Sequence, residues 1–195
     1  MVTIRNANNM NHMSISVLES TVKKALSPFS DTTINVAYSG GLDSSVLLHI
    51  IASFKEELGL KIRALHVNYG WSELSDQWQQ HCESNSLELG LDYLVLKVDH
   101  RGMMGRPTEE SARNIRLKWF REVTTTTDAG PIFMAHHQDD QAETLLLKLL
   151  RGSSVHGLGA IKEDTTLNNL RIIRPFLGVS KINLSTWAKE KNLSF

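Results

Sequence analysis

Apolar residues recur along this chain in two alternating rhythms. Compact β-rich runs fall at Ile34–Tyr38, Ile62–Asn68, Tyr93–Val98 and Pro131–Ala135. Between them the apolar positions take helical spacing over Ser44–Leu58, Leu74–Leu89, Thr108–Val123 and Ala142–Leu150. A leading helix is expected over 14–27, ended near Pro28, behind a flexible tail at 1–13, and the Thr124–Thr127 run reads as a loop. Alternation of this kind predicts one doubly wound α/β domain spanning 1–195, with a parallel sheet and helices on both faces. In such sheets ligands bind outside the carboxyl ends of the strands. The polar motifs of this chain fall at those ends.

Composition narrows the class. The 195 residues carry 21 Lys plus Arg against 21 Asp plus Glu, and 41% are hydrophobic, which supports a sizeable core and excludes a disordered tail. Zero net charge excludes a uniformly basic nucleic-acid binder but not a local patch. The best such patch is 97–121, where Lys97, Arg101, Arg106, Arg113, Arg116, Lys118 and Arg121 face three acids. No apolar stretch approaches the roughly 20 residues needed to span a bilayer, and the first residues lack an apolar signal core. A lone cysteine, Cys82, forms no internal disulfide and fits a reducing compartment, so the expectation is cytoplasmic with no membrane partner. Cys82 follows Trp78 by four residues and Leu74 by eight, a core spacing, and the other Trp and Leu stripes are read as core in the same way.

The candidate chemistry starts at Ser39-Gly40-Gly41-Leu42-Asp43-Ser44, between the first strand and the next helix. Paired glycines let backbone approach a ligand closely, and the free N–H groups of a helix start favour an anion. A plain βα turn would not need two serines and an aspartate there. Asp43 facing a phosphate implies a Mg²⁺ between them. No Gly-Lys-Ser/Thr follows the glycines, which excludes a Walker A loop, and the dinucleotide Gly-x-Gly-x-x-Gly pattern is missing too. A second cluster, Ala135-His136-His137-Gln138-Asp139-Asp140-Gln141-Ala142-Glu143-Thr144, lies at a later strand end. Asp140 and Glu143 share a helix face, where acids also serve simply to complement the helix dipole.

These residues carry a resemblance. Ser39-Gly40-Gly41-Leu42-Asp43-Ser44 looks like the SGGxDS motif of the PP-loop ATP pyrophosphatases, whose fold is adenine nucleotide alpha hydrolase-like. The second cluster, continued to Arg151-Gly152-Ser153, resembles the AHHxDDxxET…RGS block of the tRNA(Ile)-lysidine synthases. Glu110-Ser111-Ala112-Arg113, Gly157-Leu158 and Arg174-Pro175-Phe176-Leu177 with Lys181-Ile182 are similar to further family segments, so the resemblance spans 34–190. It implies ATP and Mg²⁺ as cofactors, L-lysine and tRNA(Ile) with a CAU anticodon as partners, and adenylation of the wobble cytidine followed by attack of lysine. It further implies Ser39 to Ser44 on pyrophosphate, Asp43 on Mg²⁺, Arg113 on phosphate charge, and His136, Asp140 and Glu143 at the lysine amine. The Arg151 loop is also implied at the site. A homodimer is a candidate assembly. The family's HVNHGLR after the second strand is here His66-Val67-Asn68-Tyr69-Gly70-Trp71-Ser72, and the family's further C-terminal RNA-binding regions are expected to be missing from this form. The rivals are an RNA-adenylating thiolase of the same superfamily and a non-catalytic nucleotide-binding module.

Overall fold

A computed structural model describes residues 17–99, 108–126, 130–150 and 160–195. The expected tail at 1–13, the start of the leading helix, 100–107 of the basic segment, Thr127, and the Arg151-Gly152-Ser153 and Gly157-Leu158 matches lie outside them. Helix α1 (17–26) and a short 3-10 turn lead into β1 (Thr33–Ala37), α2 (Leu42–Ser53), β2 (Lys61–Asn68), α3 (Ser75–Glu88) and β3 (Asp92–Lys97). Then come α4 (Glu109–Thr126), β4 (Ile132–Phe133), α5 (Gln138–Leu150), β5 (Asp164–Leu167), β6 (Leu170–Ile173) and α6 (Lys181–Glu190).

The six strands form one sheet in the order β3-β2-β1-β4-β6-β5. Pairing is parallel throughout, with Val36 opposite Ala64 and Asn35 opposite Ile132, except at the antiparallel β5–β6 edge. The chain therefore winds outward from β1 through β2 to β3 and returns to the other side of β1 with β4. That reversal opens a crevice between the carboxyl ends of β1 and β4, the place such a sheet offers a ligand.

Two apolar layers cover the sheet. On one face Leu18, Val22 and Leu26 of α1, Val46 to Leu48 with Ile50 and Ile51 of α2, and Leu184 and Trp187 of α6 pack against β1. On the other, Phe120 and Val123 of α4 pack over Leu65, Ile132, Met134 and Ile172. Burying a side chain of this size contributes about 1.5–3 kcal/mol. Helix α2 is apolar almost all round because it is sealed between sheet and helices, and it begins beside the crevice.

Several elements differ from the sequence reading. Helix α2 starts at Leu42 and stops at Ser53, because the N–H groups of Phe54 and Lys55 turn back to Ile51 and Ala52 carbonyls. Thr124 to Thr126 extend α4 rather than forming a loop, with the Thr124 and Thr125 hydroxyls donating to the Arg121 carbonyl. The β5–β6 hairpin was not expected. Its turn is Asn168-Asn169 with φ of 48° and 66°, values that asparagine tolerates and two-residue hairpins need. Cys82 is core as expected, but Leu74 and Trp78 on the same stripe are exposed, as are Leu145 to Leu147, Leu149 and Leu150 of α5. Among the described residues no helix is long and apolar enough to cross a membrane.

Candidate active site

The loop after β1 is a self-bonded cradle. The Ser44 hydroxyl donates to the Gly41 carbonyl at 3.0 Å and accepts from the Ser39 N–H at 3.2 Å, while the two serine hydroxyls meet at 2.9 Å. Gly40 sits at φ +84°, where L side chains are strained. Gly41 is the N-cap of α2 and offers no side chain to satisfy the first N–H groups, so they remain directed outward for an anion. Leu42 turns its side chain into the core, which anchors the loop and leaves only its backbone for a ligand.

Across the crevice, β4 ends and α5 begins with a reciprocal cap. His137 is the residue before the helix, and its Nδ1 accepts from the Asp139 N–H at 3.2 Å. Asp140 Oδ2 accepts from the His137 N–H at 2.7 Å. A side chain on the helix thus reaches back to the capping residue as in a capping box, with histidine in the usual serine's place. With Nδ1 accepting, the His137 proton sits on Nε2, which lies 3.5 Å from Asp43 Oδ2. His137, 7% exposed at its side chain, therefore bridges the two motifs. Asp43 Oδ1 is buried without a hydrogen-bond partner. An unmatched carboxylate oxygen at the edge of an anion cradle fits a hard cation such as Mg²⁺.

His136 is set differently. Arg174, carried by the segment after β6, donates from Nε to His136 Nδ1 at 3.2 Å and from Nη1 to the Lys162 carbonyl at 2.9 Å. Burial and the neighbouring Arg174 charge hold His136 down to about 4, so near neutral pH it is uncharged and keeps its proton on Nε2. Burial, with Arg113 nearby, also lowers Arg174 from its ordinary value. On β2, His66 is buried and its Nδ1 donates to the Tyr38 carbonyl at 2.9 Å, leaving a lone pair on Nε2. Burial lowers its pKa as well.

These groups surround a cavity of about 430 Å³, within the range that holds a nucleotide-sized ligand. Ser39, Gly41, Asp43, Ser44, His136 and Asp140 line it. Gly40 stands behind the loop, and Arg113 and Glu143 are exposed and do not line the cavity. Arg116, one turn beyond Arg113 on α4, does. The sequence reading did not assign His137, Arg174, His66 or Arg116 to the site. For His137 and Arg116 the adjacent motif residues were a signal. For Arg174 the family-like Arg174-Pro175-Phe176-Leu177 segment was a signal, although its pairing with His136 spans 38 positions.

Comparison with known proteins follows the same lines. A family model described as a PP-loop domain matches residues 14–195. A tRNA(Ile)-lysidine synthase of Legionella pneumophila is 39% identical over 160 residues, 82% of this chain and 36% of that protein. One of Pseudomonas aeruginosa is 37% identical over 180 residues, 91% of this chain and 40% of that protein. The chain thus spans about two fifths of the length of these curated relatives. Among solved structures, a U34-tRNA thiolase from Methanococcus maripaludis superposes with a TM-score of 0.79 at 18% identity, covering 95% of this chain and 65% of that one. An NH3-dependent NAD synthetase from Campylobacter jejuni does so at 0.53 and 15%, covering 95% and 73%. At such identities the likeness shows a shared fold.

Proposed function

The chain belongs to the PP-loop domain family, and from that premise we propose that it uses ATP to adenylate a tRNA base and then joins lysine to it. The reaction is lysidine formation at the wobble cytidine of tRNA(Ile) with a CAU anticodon. The cytidine 2-carbonyl oxygen attacks the α-phosphorus and pyrophosphate leaves. The lysine amine then attacks C2, AMP departs with the oxygen, and the nitrogen gives up its proton. The supporting observation is the juxtaposition at the β1/β4 crevice: an anion cradle with an unmatched carboxylate oxygen, facing a second carboxylate one histidine away.

Ser39, Ser44 and the backbone from Gly40 to Asp43, Leu42 included, hold pyrophosphate oxygens. Asp43 would hold Mg²⁺, which when bound would neutralise phosphate charge. His137 fixes the Asp43 carboxylate from Nε2. His136 and Arg116 donate to charge that develops on phosphate, with Arg113 acting from the rim. Asp140, with one oxygen engaged in the cap, presents its charge to the lysine amine, and Glu143 lies outside that contact. Positioning of this kind supplies roughly 7–11 kcal/mol of barrier lowering. Cys82 does not supply sulfur chemistry, because burial pushes its thiol up to about 12 and a protonated thiol is a poor nucleophile.

The test is pyrophosphate release from Mg-ATP with and without tRNA(Ile) bearing CAU, with labelled lysine to follow transfer. Release and incorporation that both require this tRNA are expected. Sulfur incorporation without lysine would replace this reading by thiolation, and ATP binding without release would reduce it to a nucleotide-binding module.

A further inference from the structure

The turn after β2 is built more tightly than a connection requires. Asn68 Oδ1 accepts from the Gly70 N–H at 2.9 Å, and its Nδ2 donates to Asp76 Oδ1 and Gln79 Oε1 at 2.9 and 3.0 Å. Gly70 takes φ +62° to make the bend. The Ser72 N–H donates to Ser75 Oγ and the Leu74 N–H to Ser72 Oγ. The Tyr69 hydroxyl donates to the Ala112 carbonyl at 3.1 Å and pins the turn to α4. On this frame the Trp71 indole lies on the Tyr69 ring, with centroids 4.5 Å apart and planes 23° from parallel. Trp71 lines the cavity yet is 43% exposed, and Trp78 from α3 lines it at 53%.

A tryptophan held in water on a rigid turn, with one face already stacked, presents its remaining surface at no further ordering cost. Flat aromatic partners are what such a surface takes, and a nucleobase has a π face whatever its edge. Arg116 from α4 lines the same cavity and adds a cation next to that surface. We propose that Trp71, backed by Tyr69 and flanked by Trp78, is a stacking platform for a nucleobase entering the cavity. This rests on the proposed use of ATP and RNA, and the base belongs either to ATP or to an unpaired position of the RNA.

The test titrates the 195-residue chain and its W71A, W71F and W78A variants with ATP, with inorganic tripolyphosphate, and with short single-stranded RNAs that differ by one cytidine or an abasic residue. Calorimetry gives the affinities. Tryptophan fluorescence gives a second readout, since Trp187 is buried and Trp119 packs against the core. Loss of one base stack weakens binding by roughly 5- to 150-fold. W71A weakening ATP by that factor while leaving tripolyphosphate unchanged assigns the platform to adenine. W71A weakening the cytidine RNA and not the abasic one assigns it to the RNA base. W71F retains most of the affinity in either case. Equal weakening of ATP and tripolyphosphate would overturn the platform as a mere loop-packing effect, and unchanged affinities for ATP and RNA would overturn it outright. A wild-type chain that binds neither ATP nor tripolyphosphate would instead remove the cradle reading, while W71A sensitivity toward the cytidine RNA would still support the platform.

Discussion

Replacing Gly40 by alanine tests how the cradle is held from behind. A Cβ added at Gly40 would lie 2.7 Å from Cys82 Sγ, closer than such atoms approach, and Cys82 is fully buried in α3. Two costs arise together. The φ of +84° is left-handed, worth about 1–2 kcal/mol against an L side chain. The overlap with sulfur is overpacking, worth about 1–3 kcal/mol in a tight core. G40A is therefore expected to lose about 2–5 kcal/mol, a large part of an ordinary domain's stability. C82A removes the sulfur and, by itself, costs about 1 kcal/mol for the lost buried atom. In the C82A background only the backbone strain remains, so the cost of G40A falls to about 1–2 kcal/mol. Urea unfolding of the four proteins at one temperature closes the cycle, with slopes compared to confirm two-state behaviour. Additive effects within about 0.5 kcal/mol would refute the contact, since uncoupled sites add to that tolerance.

Other outcomes follow from the site's charges. His136 is held to about 4 in the folded protein against about 6.5 unfolded, so the folded state binds fewer protons. Stability is then full above pH ~6.5 and falls as pH drops toward 4, by about 2–3 kcal/mol near pH 4.5, a loss that H136N should largely remove in urea unfolding at the two pH values. R174M deletes the donor to Nδ1 and the adjacent cation, and the His136 titration seen by NMR should move up toward its ordinary value; no movement would refute the Arg174 contribution. D140N keeps an oxygen to cap α5 but loses the charge, so ATP binding and folding persist while lysine-dependent turnover falls roughly 10²–10⁴-fold. Normal lysine turnover in D140N would remove Asp140 from the reaction. D43N should abolish Mg²⁺-dependent tightening of ATP binding and leave its Mg²⁺-free affinity nearly unchanged.

Periodicity located β1, β2 and the helix α2 between them because those residues are buried on both faces or almost all round. The serine–glycine loop was legible for a related reason: its residue types are needed locally, by the turn and by the helix start. What periodicity cannot say is whether a face it identifies is covered. Leu74 and Trp78 share the stripe of Cys82, yet Cys82 is buried while the other two are exposed, Trp78 at the cavity. The leucines of α5 have the same spacing as a core helix and stay exposed among the described residues. The β5–β6 hairpin was missed because its strands are four residues each and β5 is mostly exposed, although Asn168-Asn169 was a usable turn signal. Asp140 in turn does what the plain dipole reading expected, capping α5, and still lines the cavity.

The histidines narrow the acid–base roles further. Each imidazole at the crevice has one nitrogen committed, and the partner decides which species the other nitrogen is. Arg174 and the Asp139 N–H are donors, so His136 and His137 both accept at Nδ1 and keep a proton on Nε2. The Tyr38 carbonyl is an acceptor, so His66 donates at Nδ1 and has a free lone pair on Nε2. His136 can therefore only donate toward a ligand near neutral pH, while His137, which does not line the cavity, turns its Nε2 to Asp43. Among the described residues lining this cavity, acceptance of a proton from an incoming amine is left to His66, Asp43 and Asp140. Asp43 already faces the His137 Nε2 proton and carries the oxygen suited to a cation. His66 is neutral and buried, and it offers an ammonium group no attraction. Asp140 combines a cavity-facing position with negative charge, so on the proposed reaction it both draws in the lysine ammonium and takes its proton. His136, fixed by Arg174 as a donor, is suited to the phosphate and not to the amine.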